Sequence, residues 1–378
     1  MADENNDFAL VLTGGGARAA YQVGFLRGLA RQFPNLHFSI LTGVSAGAIN
    51  AAYLANHSGT FAEAIDDLAG LWRELVVEKV FQADPWSLAK SVFGWAAALL
   101  SGGAIRAPAA RGMVDTSPLQ RLLDTRMAAT DSLLMGVGDN LRRGRLKALA
   151  ITGTKYGTGQ ALTWVQGTGI QTWERPHRRS VQTQISVAHV MASAALPLFF
   201  PAVRVGNDWY GDGGIRQPAP LSPALHLGAK RILAVSTRHE RSIAEADIPV
   251  IRGYPPPAQI IGTLFNSLFL DVLDQDARNL ELINYLLEKV PEEQSAALRP
   301  VELFLLRPSR NLSQEANRFE ARLPGMFRFL SRGLGTKHTE SPDWLSMVLF
   351  DPEYLQLLMA IGEEDAEARS GDFAARLG

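Results

Sequence analysis

Near the N-terminus the short apolar run 8–13 lacks the alternation of a half-exposed strand and reads as a strand buried on both faces, and residues 38–42 read as a second strand. Each leads through a turn into helical spacing. Residues 17–31 put Tyr21, Gly24, Phe25, Gly28 and Leu29 on one face, and residues 46–56 are rich in Ala and apolar nearly all round. This β-loop-α-β-turn-α start predicts a central, mostly parallel sheet flanked by helices on both faces, a three-layer α/β/α architecture.

The same reading continues along the chain. Residues 61–80 predict one amphipathic helix. Asp115-Thr116-Ser117-Pro118 ahead of Leu119, Leu122 and Leu123 is a helix start, with a polar cap and Pro in the first turn. Strands are expected at 146–152 and 161–166, around the Tyr156-Gly157-Thr158-Gly159 turn, and at 203–205 and 208–210, around Gly206-Asn207. A short helix at 187–195 ends at Pro197. Further strands are expected at 231–236 and 301–306. Between them, after the rigid Tyr254-Pro255-Pro256-Pro257 connector, residues 259–290 predict one long helix with acidic residues opposite its apolar stripe. Residues 81–112 are apolar, with Trp86, Trp95, Leu99 and Leu100; they read either as core packing or as a lid or interfacial patch. Strand signals thin out after about residue 310. The expected organisation is a catalytic α/β unit over 1–310 and a mainly helical extension over 311–378.

Charge sharpens this picture at one place. Residues 32–62, a run of 31, contain no Asp, Glu, Lys or Arg in a chain that is 20% charged. The length suggests a membrane span. Yet Pro34, Asn35, His37, Thr42, Gly43, Ser45, Gly47, Asn50 and Gly59 interrupt it, and such polar and helix-breaking residues are costly in lipid. No transmembrane helix is expected, and the acidic start Met-Ala-Asp-Glu does not resemble a secretory signal. The 37 basic and 38 acidic residues nearly cancel, which argues against a nucleic-acid partner. There is no cysteine, which excludes a thiol nucleophile, a disulfide framework and a thiolate metal site, and which fits a reducing, cytoplasmic setting.

Two glycine-rich turns carry the candidate chemistry. Gly14-Gly15-Gly16-Ala17-Arg18-Ala19 loosely matches the dinucleotide-binding pattern. That reading needs an acidic residue about 20 positions on for the ribose, where the charge-free run has none. A phosphate-binding P-loop fails too, since no Lys-Ser or Lys-Thr closes the turn. Gly43-Val44-Ser45-Ala46-Gly47 is a G-x-S-x-G between a strand and a helix, the setting of an exposed serine nucleophile; a plain βα turn capped by Ser45 is the blander reading. A serine needs a base. None of the seven histidines sits in a motif that names it the partner, and only His226 and His239 fall near an expected strand. Tyr210-Gly211-Asp212-Gly213-Gly214 offers a carboxylate on a sharp turn, or an ordinary Asp-Gly turn.

Four blocks then occur in one order: Gly14 to Arg18, Gly43 to Gly47, Ala192-Ser193-Ala194-Ala195-Leu196-Pro197-Leu198-Phe199-Phe200-Pro201, and Asp212-Gly213-Gly214. Together they resemble the patatin-like phospholipases and lipid acyl hydrolases of bacterial type, over about residues 8–240. The resemblance implies a lipid acyl hydrolase with a Ser45–Asp212 dyad acting through an acyl-serine intermediate. It implies an oxyanion hole at Gly14, Gly15 and Gly16 with Arg18 beside it, and the motif glycines Gly43, Gly47, Gly213 and Gly214. It implies no cofactor and no metal. Many relatives carry Gly where this chain has Ala19. A cation on the first turn of a helix is unfavourable without an anionic partner, so Arg18 is expected near an anion such as a lipid phosphate or the oxyanion. The substrate implied is a lipid or phospholipid, with peripheral membrane contact; Arg142-Arg143-Gly144-Arg145 and the basic residues 175–179 read as headgroup contacts or as solvated faces. Two other readings stay open: a patatin-fold protein that binds lipid without turnover, and a nucleotide-binding α/β protein.

Overall fold

The computed structural model describes residues 7–82, 101, 112–247, 254–269, 271–291, 298–323 and 343–377. Trp86, Trp95, Leu99 and Leu100, for which core and lid readings compete, lie outside the described residues.

Among the described residues ten strands form one sheet: β1 Phe8–Leu12, β2 Ile40–Val44, β3 Ala148–Lys155, β4 Gln160–Gly167, β5 Glu174–Arg175, β6 Arg178–Gln182, β7 Val203–Val205, β8 Asp208–Asp212, β9 Arg231–Val235 and β10 Glu302–Leu306. The order is β10-β9-β1-β2-β3-β4-β6-β5, with β8 on β3 and β7 on β8. From β10 to β3 every pairing is parallel. Beyond β3 the sheet turns mixed, because β4 and β8 both run antiparallel to it. The sheet is therefore parallel where the glycine turns leave it and antiparallel where Asp212 arrives.

Alternate residues of one strand build the two layers. Phe8, Leu10 and Leu12 of β1 pack into one apolar core, and Ala9 and Val11 into the other. The first core receives the helices α1 Ala20–Gln32, α2 Ala46–Asn56 and α3 Phe61–Arg73, together with the helix Pro352–Ala368. The second receives Ala224 of the Ser222–His226 helix and Leu273, Ala277 and Leu280 of the Asp271–Leu287 helix. This is the three-layer arrangement that the doubly buried strands required.

The face of α1 carrying Gly24 and Gly28 meets the Pro352–Ala368 helix so closely that a Cβ on Gly24 would lie 2.0 Å from the Met359 carbonyl oxygen. Glu363 of that helix binds Arg27 at 2.9 Å and Arg31 at 2.8 Å. No helix of the described residues is long and apolar enough to cross a membrane.

Some elements differ from the sequence reading. The expected helix over 61–80 is two pieces, α3 and the short Val77–Val80 helix. Between them Val76 is extended, and the break leaves Leu75 and Val80 lining the same cavity as Leu71 and Trp72. The expected helix over 259–290 is two helices, Pro257–Phe269 and Asp271–Leu287. Two of the basic residues in 175–179 belong to β6, which the charge pattern hid.

Candidate active site

Both glycine turns leave the same edge of the sheet, at the C-terminal ends of the adjacent strands β1 and β2. The chain proceeds from β1 to β2 and β3 on one side and places β9 and β10 on the other, so the strand order reverses beside β1, where open α/β sheets form their crevice. Ser45 sits between β2 and α2 with φ 56° and ψ −133°, a conformation non-glycine residues avoid. The turn is tight because its neighbours are glycine. A Cβ on Gly43 would lie 2.5 Å from the Gly47 carbonyl oxygen, and one on Gly47 would lie 2.3 Å from that of Leu12. The Ser45 backbone N–H donates to Ser193 Oγ at 3.0 Å, and Ser193 Oγ donates to the Thr152 carbonyl of β3 at 2.6 Å.

The Gly14–Gly16 turn lies directly against this elbow. A Cβ on Gly14 would meet Ser45 Cβ at 2.8 Å. On the far side Thr237, just past β9, donates its hydroxyl to the Gly14 carbonyl at 2.7 Å. Gly15 and Gly16 take φ of 144° and 58°, which only glycine adopts without strain.

Asp212 closes β8 and is fully buried. Its backbone N–H donates to the Ala195 carbonyl at 3.0 Å, its carbonyl accepts the Thr154 hydroxyl at 2.7 Å, and its Oδ1 accepts the Gly214 N–H at 2.9 Å. Oδ2 is buried and has no hydrogen bond of normal geometry among the described residues. Burial pushes the carboxyl up to about 7, against the pull of the Ser45 side chain beside it and the Gly214 amide. A Cβ on Gly213 would lie 2.1 Å from the Thr152 carbonyl oxygen, so the turn after Asp212 packs on β3. The Ala192–Pro201 block thus touches both sides of the site, Ser45 through Ser193 and Asp212 through Ala195.

Ser45, Gly15 and Gly16 stand in the wall of a cavity of about 760 Å³, open mouth included. The rest of its lining is apolar: Ala46, Ile49, Leu71, Trp72, Leu75, Val80, Leu119, Leu123, Ala194, Leu196, Phe200, Met347, Val348 and Phe350. Trp72 is held in place by its indole N–H, which donates to Asn50 Oδ1 at 2.8 Å. A hydroxyl, a buried carboxylate of raised basicity and an apolar cavity suit attack on the ester of an acyl chain.

Arg18 is a correction. It was expected beside the oxyanion or a lipid phosphate, but its side chain is 3% exposed and turned away into the protein. Nε donates to Ser346 Oγ at 2.7 Å, and Nη2 to the Asp343 carbonyl and Oδ1, both at 2.9 Å. The anion that the helix start demanded is internal. The histidines near strands also lie elsewhere: His226 stacks on Trp173, and His239 Nδ1 lies 2.9 Å from the Pro308 carbonyl.

A second Ser–Asp contact exists. Ser313 Oγ donates to Asp343 Oδ1 at 2.5 Å. Ser313 lies in the short Leu312–Ala316 helix, not on a strand–helix elbow, and does not line the cavity. Asp343 is already committed to Arg18 and to Asn266, whose Nδ2 donates at 2.6 Å. This pair is a structural tie.

Elbow, glycine turn and buried aspartate thus come together at one edge of a three-layer α/β/α fold. A model of the family described as patatin-like phospholipase matches residues 10–225, and the chain belongs to that family. No curated protein sequence matches it. Among solved structures, human GIVD cytosolic phospholipase A2 is 13% identical with a TM-score of 0.48, the match covering 99% of this chain and 60% of that one. VipD from Legionella pneumophila is 14% identical with a TM-score of 0.35, covering 88% and 67%. The type III effector ExoU is 14% identical with a TM-score of 0.37, covering 97% and 53%. This chain therefore spans little more than half to two thirds of those proteins.

Proposed function

We propose that the protein is a lipid acyl hydrolase, of phospholipase A or carboxylesterase type, with Ser45 as nucleophile and Asp212 as base. The observation that carries this reading is the strained Ser45 elbow set against a buried carboxylate at the head of an apolar cavity. Asp212 takes the Ser45 hydroxyl proton as Oγ attacks the ester carbonyl. The tetrahedral intermediate places its negative oxygen toward the Gly14–Gly16 turn, where one well-placed amide donor is typically worth about 3–4 kcal/mol. Collapse expels the alcohol, which takes the proton back from Asp212, and leaves an acyl-Ser45 ester. Asp212 then removes a proton from water as it attacks the acyl carbonyl; collapse expels Ser45 Oγ, which takes that proton back, and releases the fatty acid. A free aspartate is too acidic for this work at neutral pH; a carboxyl held near 7 by burial is matched to it.

The substrate on this reading is a lipid ester presented at a membrane surface, which a cytoplasmic protein meets peripherally. We also take residues 311–378 to be a helical extension packed on a catalytic unit of residues 1–310. The test is hydrolysis of a short-chain nitrophenyl ester, with fluorophosphonate labelling, for wild type, Ser45→Ala and Asp212→Asn. Both variants should lose most turnover, and Ser45→Ala all labelling. Wild-type activity in purified Ser45→Ala sinks the assignment. Lipid bound by a wild-type protein that neither labels nor turns over supports instead a fold that only holds lipid.

A further inference from the structure

We propose, resting on the assignment of Ser45 and Asp212, that Asp343 is a positioning residue that holds the oxyanion turn in its working shape through Arg18. The two are 325 positions apart, and Asp343 lies beyond residues 10–225, where the family pattern runs.

The attachment is directional. The Arg18 guanidinium grips the start of the Asp343–Val348 helix at three points: Ser346 Oγ through Nε, and the Asp343 carbonyl and Oδ1 through Nη2. Asp343 is itself fixed by Ser313 on Oδ1 and Asn266 on Oδ2, so three other segments of chain meet on one carboxylate. Arg18 lies two residues after Gly16, and its own N–H donates to the Gly15 carbonyl at 3.2 Å. A movement of the guanidinium is thus delivered to the glycines that line the cavity beside Ser45. The same helix presses on the turn directly, since a Cβ on Gly16 would lie 2.1 Å from the Met347 carbonyl oxygen. Thr237 braces the opposite side. Oxyanion donors lose their value with small displacements, so a turn clamped between Thr237 and Asp343 is pre-set for the transition state.

A purely structural ion pair makes a different prediction. Replacing a buried pair by apolar residues of similar size generally keeps or restores stability, whereas removing one partner leaves a buried charge. The experiment uses the full chain and measures kcat, KM, fluorophosphonate labelling rate and thermal midpoint. Asp343→Ala should lower kcat and labelling rate by about 30–300-fold, somewhat less than the about 100–1000-fold of an oxyanion donor lost outright, with KM within about twofold. The decisive variant is Arg18→Met with Asp343→Leu. It should recover part of the thermal midpoint that Asp343→Ala loses, since Ser313 and Asn266 still lack their acceptor, while kcat stays low. Ser346→Ala removes the acceptor of Arg18 Nε and the hydroxyl's own bond to the Asp343 carbonyl, and leaves the ion pair itself in place; it should lower kcat by about 3–10-fold at unchanged KM. Glu363→Gln breaks the separate pairs with Arg27 and Arg31 and should leave kcat as it is. Wild-type kcat in the double apolar variant, or in Ser346→Ala, overturns the proposal while leaving the Ser45 assignment intact. Absence of any Ser45-dependent turnover in wild type overturns that assignment, and this proposal with it.

Discussion

Ser193 joins the Ser45 backbone N–H, at 3.0 Å, to the Thr152 carbonyl of β3, at 2.6 Å. Ser193 is wholly buried, and its hydroxyl fills a gap between elbow and sheet that water does not reach. Ser193→Ala should leave both a donor and an acceptor without a partner, at a cost of about 1–3 kcal/mol each at most. Because the lost contact fixes the strained elbow, kcat should fall by about tenfold or more, beyond what the stability loss explains. Thermal midpoint and kcat measured on the same preparation check this; unchanged kcat in a destabilised variant refutes it.

The rate should follow the Asp212 carboxylate. Its pKa is pushed up to about 7 by burial, and only the ionised form accepts the Ser45 proton. The expected kcat/KM rises about tenfold per pH unit below 7 and levels off above it. A profile flat from about pH 5 to 8 would argue for a base other than Asp212.

Stability should move the opposite way. Unfolded Asp212 loses its proton near its ordinary value of 3.8, whereas the folded group keeps it until about 7. Between these values the unfolded state binds fewer protons, so rising pH lowers the stability of the native state, and the loss is complete above about 7. The upper bound is about 4 kcal/mol from a shift of this size. Asp212→Asn lacks this term. Its thermal midpoint relative to wild type should climb from pH 4 to 7, and a constant difference across that window counts against a neutral, buried Asp212.

Trp72 and Leu123 line the cavity and are themselves wholly buried, which places them on its protein side. Leu123→Phe should shorten the acyl chain accepted. Trp72→Ala should lengthen it while costing about 3–5 kcal/mol of stability. A nitrophenyl ester series of increasing chain length, read as kcat/KM, should shift its optimum in opposite directions for the two variants; unmoved optima would show that the acyl chain lies elsewhere.

What the sequence made legible was local. The Ser45 turn was visible because a tight strand–helix turn demands glycine at 43 and 47, whereas Asp212 was one carboxylate on a glycine turn until the family resemblance singled it out. The mixed edge of the sheet was half visible: the short turn at 156–159 can join β3 and β4 only as antiparallel strands, whereas nothing local signals that β8 pairs with β3. Residues 61–80 and 259–290 kept helical spacing across a break, so periodicity alone ran the pieces together. Arg18 was legible as a cation in need of an anion, but its partner comes from a segment with no motif. Ser193 left one faint signal, a hydroxyl residue closing an otherwise buried helix.

A chain growing from its N-terminus carries Ser45 and Asp212 well before it reaches Asp343. Until the Asp343–Val348 helix arrives, Arg18 beside the glycine turn lacks the counter-charge it pairs with in the folded chain. On the proposed reading, a protein cut before residue 343 would keep Ser45 and Asp212 yet lose the clamp on the turn beside them.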